Sequence, residues 1–235
     1  MRKLKQLLKK LIAKSKNRDL LAEKLTQNKF EYVFISLFHE NIINFSEYSK
    51  IRSDFDRRNK FLKILKITAP TTFGQKWAQN HIKEICPQIK DPKELNIKSG
   101  STFDLIYPLP KDKFIKIEIK AGRAVDKNLS ELPYHERALD VRDTTNQFDM
   151  NFQQMKPSCF DIVIMIGVWS DKIRYWVMTS KEISNNKYFS TGQHRGNKGY
   201  EGQMHITSEN IHDFKKFEVN ANKIVRWIAA SCSKK

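Results

Sequence analysis

Cysteine is scarce in this chain: Cys86, Cys159 and Cys232 are the whole set, far apart and odd in number. With no C-x-x-C pair and no histidines at ligand spacing, a disulfide framework and a zinc site are excluded, and reduced thiols in a cytoplasmic protein are expected. Glycine is sparse too, at eight of 235 residues, and residues 1–67 hold neither glycine nor proline. Long apolar runs are missing. The longest, Ile162 to Trp169, has eight residues, against the roughly 18 that a bilayer span needs. Acids are also in deficit, with 26 against 43 lysines and arginines, a formal charge of +17. That excess opposes compactness and points to a polyanionic partner, either nucleic acid or an anionic membrane surface.

What is present excludes a disordered basic tail: 40% of the residues are hydrophobic and 11% aromatic, enough for a buried core. The length suits one large domain, or one domain with an appended subdomain. Residues 1–14 read MRKLKQLLKKLIAK. Lys9, Lys10 and Lys14 break the continuous apolar stretch of a secretory segment. Leu4, Leu7, Leu8, Leu11 and Ile12 instead follow helical spacing. The expected amphipathic helix packs its leucines on the domain; a membrane surface or a phosphate backbone is the other possible seat.

Two zones follow from texture. Residues 1–67 read as several helices, and the apolar Phe30–Phe38 suits a buried helix or strand. From Thr68 onward, Pro70 and Gly74 punctuate, and Phe73–Cys86 has helical spacing through Trp77, Ile82 and Ile85. Thr102–Leu109 and Lys113–Ala121 read as a hairpin turning at Pro110–Asp112. In the second segment Ile115, Ile117, Ile119 and Ala121 alternate with Lys116, Glu118 and Lys120. The polar stretch Tyr134–Pro157 is expected to be mostly helical. Asp161–Trp169 suits a strand buried on both faces, with Ile173–Met178 as its partner across a Ser170–Asp171 turn. A helix is expected over Phe214–Ala230. The sum is an α/β fold in which helices flank a mixed central β-sheet.

Alternate residues of a strand share a face, so Glu118 and Lys120 project together. A hairpin brings Asp104 to the same patch. Two carboxylates and an ammonium then converge, and two hard oxygen ligands suit Mg²⁺ alongside substrate phosphate oxygens. A neighbouring lysine can orient or deprotonate the attacking water and stabilise charge developing at phosphorus. The tripeptide alone says little, since Asp91-Pro92-Lys93 and Asp213-Phe214-Lys215 have the same form. Only Glu118-Ile119-Lys120 sits in an alternating strand behind a second acid-bearing segment. The competing reading is a solvated strand face with weak charge pairs.

The pattern Phe103-Asp104 … Ile117-Glu118-Ile119-Lys120 resembles the PD-(D/E)xK nuclease family, in particular type II restriction endonucleases. The resemblance covers roughly residues 68–180. It departs at Phe103, where the family motif has proline. It implies a restriction endonuclease-like core over residues 68–235, with residues 1–67 as a helical region for dimerisation or DNA clamping. Asp104 and Glu118 would bind Mg²⁺, the Ile119 backbone carbonyl would be a further ligand, and Lys120 would act on water. Glu84 is the candidate for an additional acid from the preceding helix; it could equally be a surface glutamate balancing Lys83. The implied reaction is site-specific hydrolysis of double-stranded DNA to 5′-phosphate and 3′-hydroxyl ends by a homodimer. A companion DNA methyltransferase is expected in the same system, though not as a physical partner.

Two regions carry the chemistry of base and phosphate recognition. Arg137, Arg142, Asn146, Gln147, Gln153 and Gln154 follow the motif strand. Residues 190–203 add Gln193, His194, Arg195, Asn197 and Lys198 among four glycines. The rival readings are a repair nickase or junction resolvase of the same family, a non-catalytic nucleic-acid-binding protein, and a membrane-surface protein anchored by residues 1–14.

Overall fold

The computed structural model describes residues 2–27, 29–97, 103–192 and 201–232. Four helices open the chain: α1 (Arg2–Ile12), α2 (Arg18–Thr26), α3 (Phe30–His39) and α4 (Phe45–Arg58). They bury a core of their own, with Leu8, Leu21, Phe34 and Leu37 inaccessible to solvent. The leucine stripe of α1 therefore packs inward through Leu4, Leu8 and Ile12. Phe30–Phe38 is helix, and Asn44 and Glu47 close a capping box at the start of α4. The short α5 (Leu62–Leu65) already belongs to the next core, where Leu62 and Leu65 are buried. The two parts are tied by the Phe61 amide donating to the Ser170 carbonyl at 2.8 Å and by Arg58 beside Asp140 at 3.7 Å.

A π-helical turn, Thr72–Trp77, runs into α6 (Ala78–Ile85). Strands β1 (Leu105–Pro108) and β2 (Phe114–Arg123) form the expected hairpin, whose turn holds Lys111 and Asp112 at φ 60° and 53°. There follow β3 (Asp149–Met155), β4 (Ile162–Val168), β5 (Ile173–Thr179), α7 (Ser180–Ser184), β6 (Phe189–Thr191), β7 (Gly202–Thr207), β8 (Glu218–Val219) and α8 (Ile224–Cys232). The main sheet has the order β1-β2-β4-β5-β8 and is mixed: β2 and β4 run parallel, while its other pairings are antiparallel. A second antiparallel sheet has the order β3-β7-β6.

The main sheet is covered on both sides. On one side Ile115, Ile117 and Ile119 pack with Ile82 of α6 and with Ile224 and Ile228 of α8. On the other, Val163, Met165 and Trp176 pack with Met150, Phe152 and Met204 of the second sheet. Strand β4 is buried along its whole length, as its unbroken apolar run requires.

Two expectations are overturned. Tyr134–Pro157 contains no α-helix; it is a turn-rich crossover followed by β3. Asp143 Oδ1 accepts from the Thr145 and Asn146 amides, a local bonding pattern that competes with helix. Over Asp149–Phe152 the burial alternates with period two, the signature of a strand. Nor is Phe214–Ala230 one helix. Ile211–Phe217 is 3₁₀, Glu218 and Val219 join the sheet edge beside β5, and the helix begins at Ile224.

Candidate active site

The hairpin register decides what meets what. Leu105 pairs with Ile117, so the next residue outward, Asp104, stands across from Glu118 on the same face. Asp104 is tightly held. Its Oδ2 accepts from the Ile119 amide at 2.8 Å, its Oδ1 accepts from Gln79 Nε2 at 2.7 Å, and its own amide donates to the Ile117 carbonyl at 3.0 Å. Lys120 Nζ lies 2.6 Å from Glu118 Oε1. The amide and carbonyl of one strand residue face the same neighbour. The Ile119 carbonyl therefore lies on the side of Asp104, just past the end of β1.

These groups open into a cleft of about 1260 Å³ between the Pro70–Gln79 segment, β2 and β3. Glu118 is only 9% exposed. It is thus neither core nor solvated face, and the reading of a weakly paired outer face fails for it. Burial pushes its carboxyl up to about 7, with the Asp104 charge adding to the rise and Lys120 opposing it. Burial also raises Asp104, against the opposing pull of the Ile119 amide, Lys120 and Gln79. Two neighbouring desolvated carboxylates disfavour ionisation until a cation joins them.

Asp104, Glu118 and the Ile119 carbonyl form an oxygen-only donor set. Each Asp104 oxygen keeps a second lone pair beyond its present hydrogen bond. Among the described residues no group of three or more His, Cys, Asp or Glu side chains gathers. Two carboxylates and one carbonyl are the kind of oxygen set that could hold Mg²⁺, which takes one or two carboxylates and completes its shell with water and phosphate oxygens.

Glu84 does not join the site. It is exposed and borders a separate hollow with Lys76, Trp77 and His81. The residue of α6 that reaches Asp104 is Gln79. At 3.6 residues per turn, five residues along a helix turn roughly 140°, which separates Gln79 from Glu84. The signal was available: Gln79 shares a stripe with Ile82 and Cys86, both buried, and is the polar member of that stripe.

The recognition residues divide. Arg137 lines the cleft, whereas Arg142, Asn146 and Gln147 lie outside it. Asn146 is occupied locally, its Nδ2 donating to Asp143 Oδ2 at 3.0 Å. Gln193, His194, Arg195, Asn197 and Lys198 lie outside the described residues. Gln153 and Gln154 both line the cleft.

A cationic cluster stands further along β2, where Arg123, which the sequence did not single out, joins Arg137. The Arg123 guanidinium lies 3.5 Å from the Phe73 ring centre and 4.3 Å from that of Tyr134, with Arg137 5.1 Å from Tyr134. Arg123 donates to the Ile67 carbonyl at 2.7 Å, and burial draws it down to about 10. The Nε atoms of both arginines are buried without partners. Flat guanidiniums held over aromatic faces suit phosphate oxygens. On the opposite wall, Lys156 is near enough to act on Glu118 and pairs with Glu201 at 2.9 Å.

No helix of the described residues is long and apolar enough to cross a membrane. No protein-family model, curated protein or solved structure matches the chain.

Proposed function

We propose that the chain is a Mg²⁺-dependent, site-specific double-stranded DNA endonuclease of the PD-(D/E)xK kind, a type II restriction enzyme acting as a homodimer. The observation that carries this reading is the convergence of Asp104, Glu118 and Lys120 at one cleft, with Gln79 and the Ile119 amide fixing the first acid. A mixed sheet whose β2 and β4 run parallel, with α6 packed on one face, is compatible with the core of that family. The formal charge of +17 suits a polyanionic substrate.

Asp104, Glu118 and the Ile119 carbonyl would hold the cation. When bound, Mg²⁺ supplies Lewis-acid stabilisation of the charge that develops on the phosphoryl oxygens. Lys120 orients the attacking water and adds positive charge beside phosphorus. The water oxygen attacks in line and gives up a proton to solvent, the P–O3′ bond breaks, and the 3′-oxygen takes up a proton from solvent. The products are a 5′-phosphate and a 3′-hydroxyl. Arg123 and Arg137 bind flanking phosphates and set the register of the strand. Cutting both strands at one site takes two active sites, hence the dimer.

The test is cleavage of a panel of plasmid and phage DNAs, with and without Mg²⁺, by the wild type and Asp104→Ala. Discrete fragments that require Mg²⁺ and vanish in the variant are expected. Nicks or a smear that vanish in the variant would keep a nuclease and remove site specificity. No cutting, with salt-sensitive DNA binding equal in both proteins, would overturn the reading in favour of a non-catalytic binding protein.

A further inference from the structure

Adjacent residues of a regular strand point to opposite faces, yet in β3 two neighbours, Gln153 and Gln154, are both exposed and both line the cleft. The cause is a bulge. Phe152 pairs with Met204 and Met155 with Gly202, so the two glutamines stand against Gln203 alone. Gln154 takes φ 56°, the left-handed region that side chains other than Asn and Asp seldom adopt. Buried Phe152 and Met155, 1% and 0% exposed, pin the bulge on either side.

The bulge also sits close to the reacting groups. Strand β3 lies against β2 at Gly122, where a Cβ would meet Met150 Cβ at 2.9 Å and the Phe152 ring at 3.1 Å. Gly122 is two residues beyond Lys120. One residue past β3, Lys156 acts electrostatically on Glu118. Asn151, also on the cleft, donates through Nδ2 to Gln203 Oε1 at 3.1 Å and leaves its own Oδ1 buried without a partner.

A carboxamide carries one acceptor and two donors, matching adenine N6–H and N7 with two hydrogen bonds. β3 is the edge strand of the antiparallel β3-β7-β6 sheet, and the major groove is wide enough to admit antiparallel strands. Bulges beside active sites re-aim side chains in this way. Resting on the nuclease reading above, the geometry points to a specificity element: the β3 edge of the second sheet enters the major groove, and Gln153 and Gln154 read the adenines of A·T pairs beside the scissile phosphate.

The experiment is selection of bound duplexes from a randomised library by full-length Asp104→Asn, repeated with Gln153→Ala and Gln154→Gly added singly. Glycine at 154 removes the amide while easing the left-handed backbone, so misfolding cannot imitate the result. Wild-type cleavage ends from genomic DNA are sequenced in parallel. The expected selected site contains A·T pairs. Each glutamine variant lowers the preference for adenine at one position by about tenfold to a hundredfold and leaves the other positions unchanged. A site without A·T pairs, or adenine preferences untouched by both variants, overturns the proposal. Mg²⁺-dependent cutting with no base preference overturns it while the nuclease reading stands. Glutamine-dependent adenine preference without any cutting upholds the base-reading role, while the nuclease reading and the placement beside a scissile phosphate fall.

Discussion

Two glutamates in the main sheet each meet a cation, and burial and bonding drive them in opposite directions. Glu218 on β8 faces Arg174 on β5, accepting from Nε at 2.8 Å and from a second guanidinium nitrogen. That fork holds its carboxyl below the ordinary range, as bidentate pairing to arginine does. Glu118 has Lys120 at 2.6 Å, a closer approach than the Arg174 Nε bond, yet is pushed up to about 7. It is deeper, it receives one ammonium and no fork, and Asp104 stands opposite. The first pair satisfies itself. The second sets two desolvated carboxyls against one ammonium at the floor of a cleft, an arrangement that a bound cation would complete.

The sharpest way to separate the two pairs is to delete each acid. Glu118→Ala is expected to lower DNA cleavage by about 10³-fold, the scale on which electrostatic groups act in a desolvated site. Glu218→Ala is expected to leave the rate within about threefold at a temperature where both variants are folded. Equal losses in initial-rate assays would mean that Glu118 has no special role.

Stability reverses the comparison. Lifting the Glu118 carboxyl from 4.5 to about 7 corresponds to about 3–4 kcal/mol at roughly 1.4 kcal/mol per pH unit. A raised acid contributes stability below its unfolded value and loses it as pH rises through the folded one. The metal-free protein therefore weakens between about pH 4.5 and 7 on account of this group. In EDTA, Glu118→Gln is expected to be stabilised by about 3–4 kcal/mol at pH 8 and to match the wild type at pH 4. Glu218 has a lowered value, so its contribution is present above the unfolded range and fades as pH falls. Glu218→Gln should be destabilised at pH 8 and not at pH 3. Thermal melts of both variants across this range check the opposed signs.

Glycines on neighbouring strands extend the comparison to packing. Gly167 lies under the Trp176 ring, where a Cβ would come to 2.7 Å, and Gly122 lets Met150 and Phe152 approach the strand that carries Glu118 and Lys120. Alanine at either place is expected to cost about 1–3 kcal/mol by overpacking. Gly122→Ala alone should also lower cleavage, because it displaces β3 and with it the cleft wall. Cleavage unchanged by Gly122→Ala at matched stability would show that the spacing of β3 from β2 does not matter to the reaction.

The sequence disclosed most where one period ruled. The alternation through Ile115, Ile117 and Ile119, the hairpin before it and the apolar run of β4 were readable because neighbouring strands impose a period of two. They bring Asp104 to the patch of Glu118 and Lys120, and the register Leu105↔Ile117 sets it opposite Glu118. The crossover over Tyr134–Pro157 was misread because its polar residues bond their own backbone, as Asp143 does, which composition does not distinguish from a solvated helix. Arg123 was hidden for a different reason. Its partners come from two separate segments, Ile67 and Phe73 from one and Tyr134 from the other, and their meeting depends on how the π-helical turn and the crossover pack.

The smallest expected difference falls within one helix. Gln79 gives Asp104 a partly buried hydrogen bond at 2.7 Å, and a bond to a charged acceptor contributes about 1.5–3 kcal/mol. Part of that is recovered by water entering an open cleft, so Gln79→Ala is expected to lower cleavage by about tenfold. Half-maximal activation should move to higher Mg²⁺, since a looser Asp104 is a poorer ligand. Glu84→Ala, five residues along, removes an exposed acid that borders a different hollow and is expected to leave both quantities within about twofold. Mg²⁺ titrations of initial rate on the two variants make the comparison directly. Loss of activity in Glu84→Ala with Gln79→Ala unaffected would show that α6 turns its other face to the substrate.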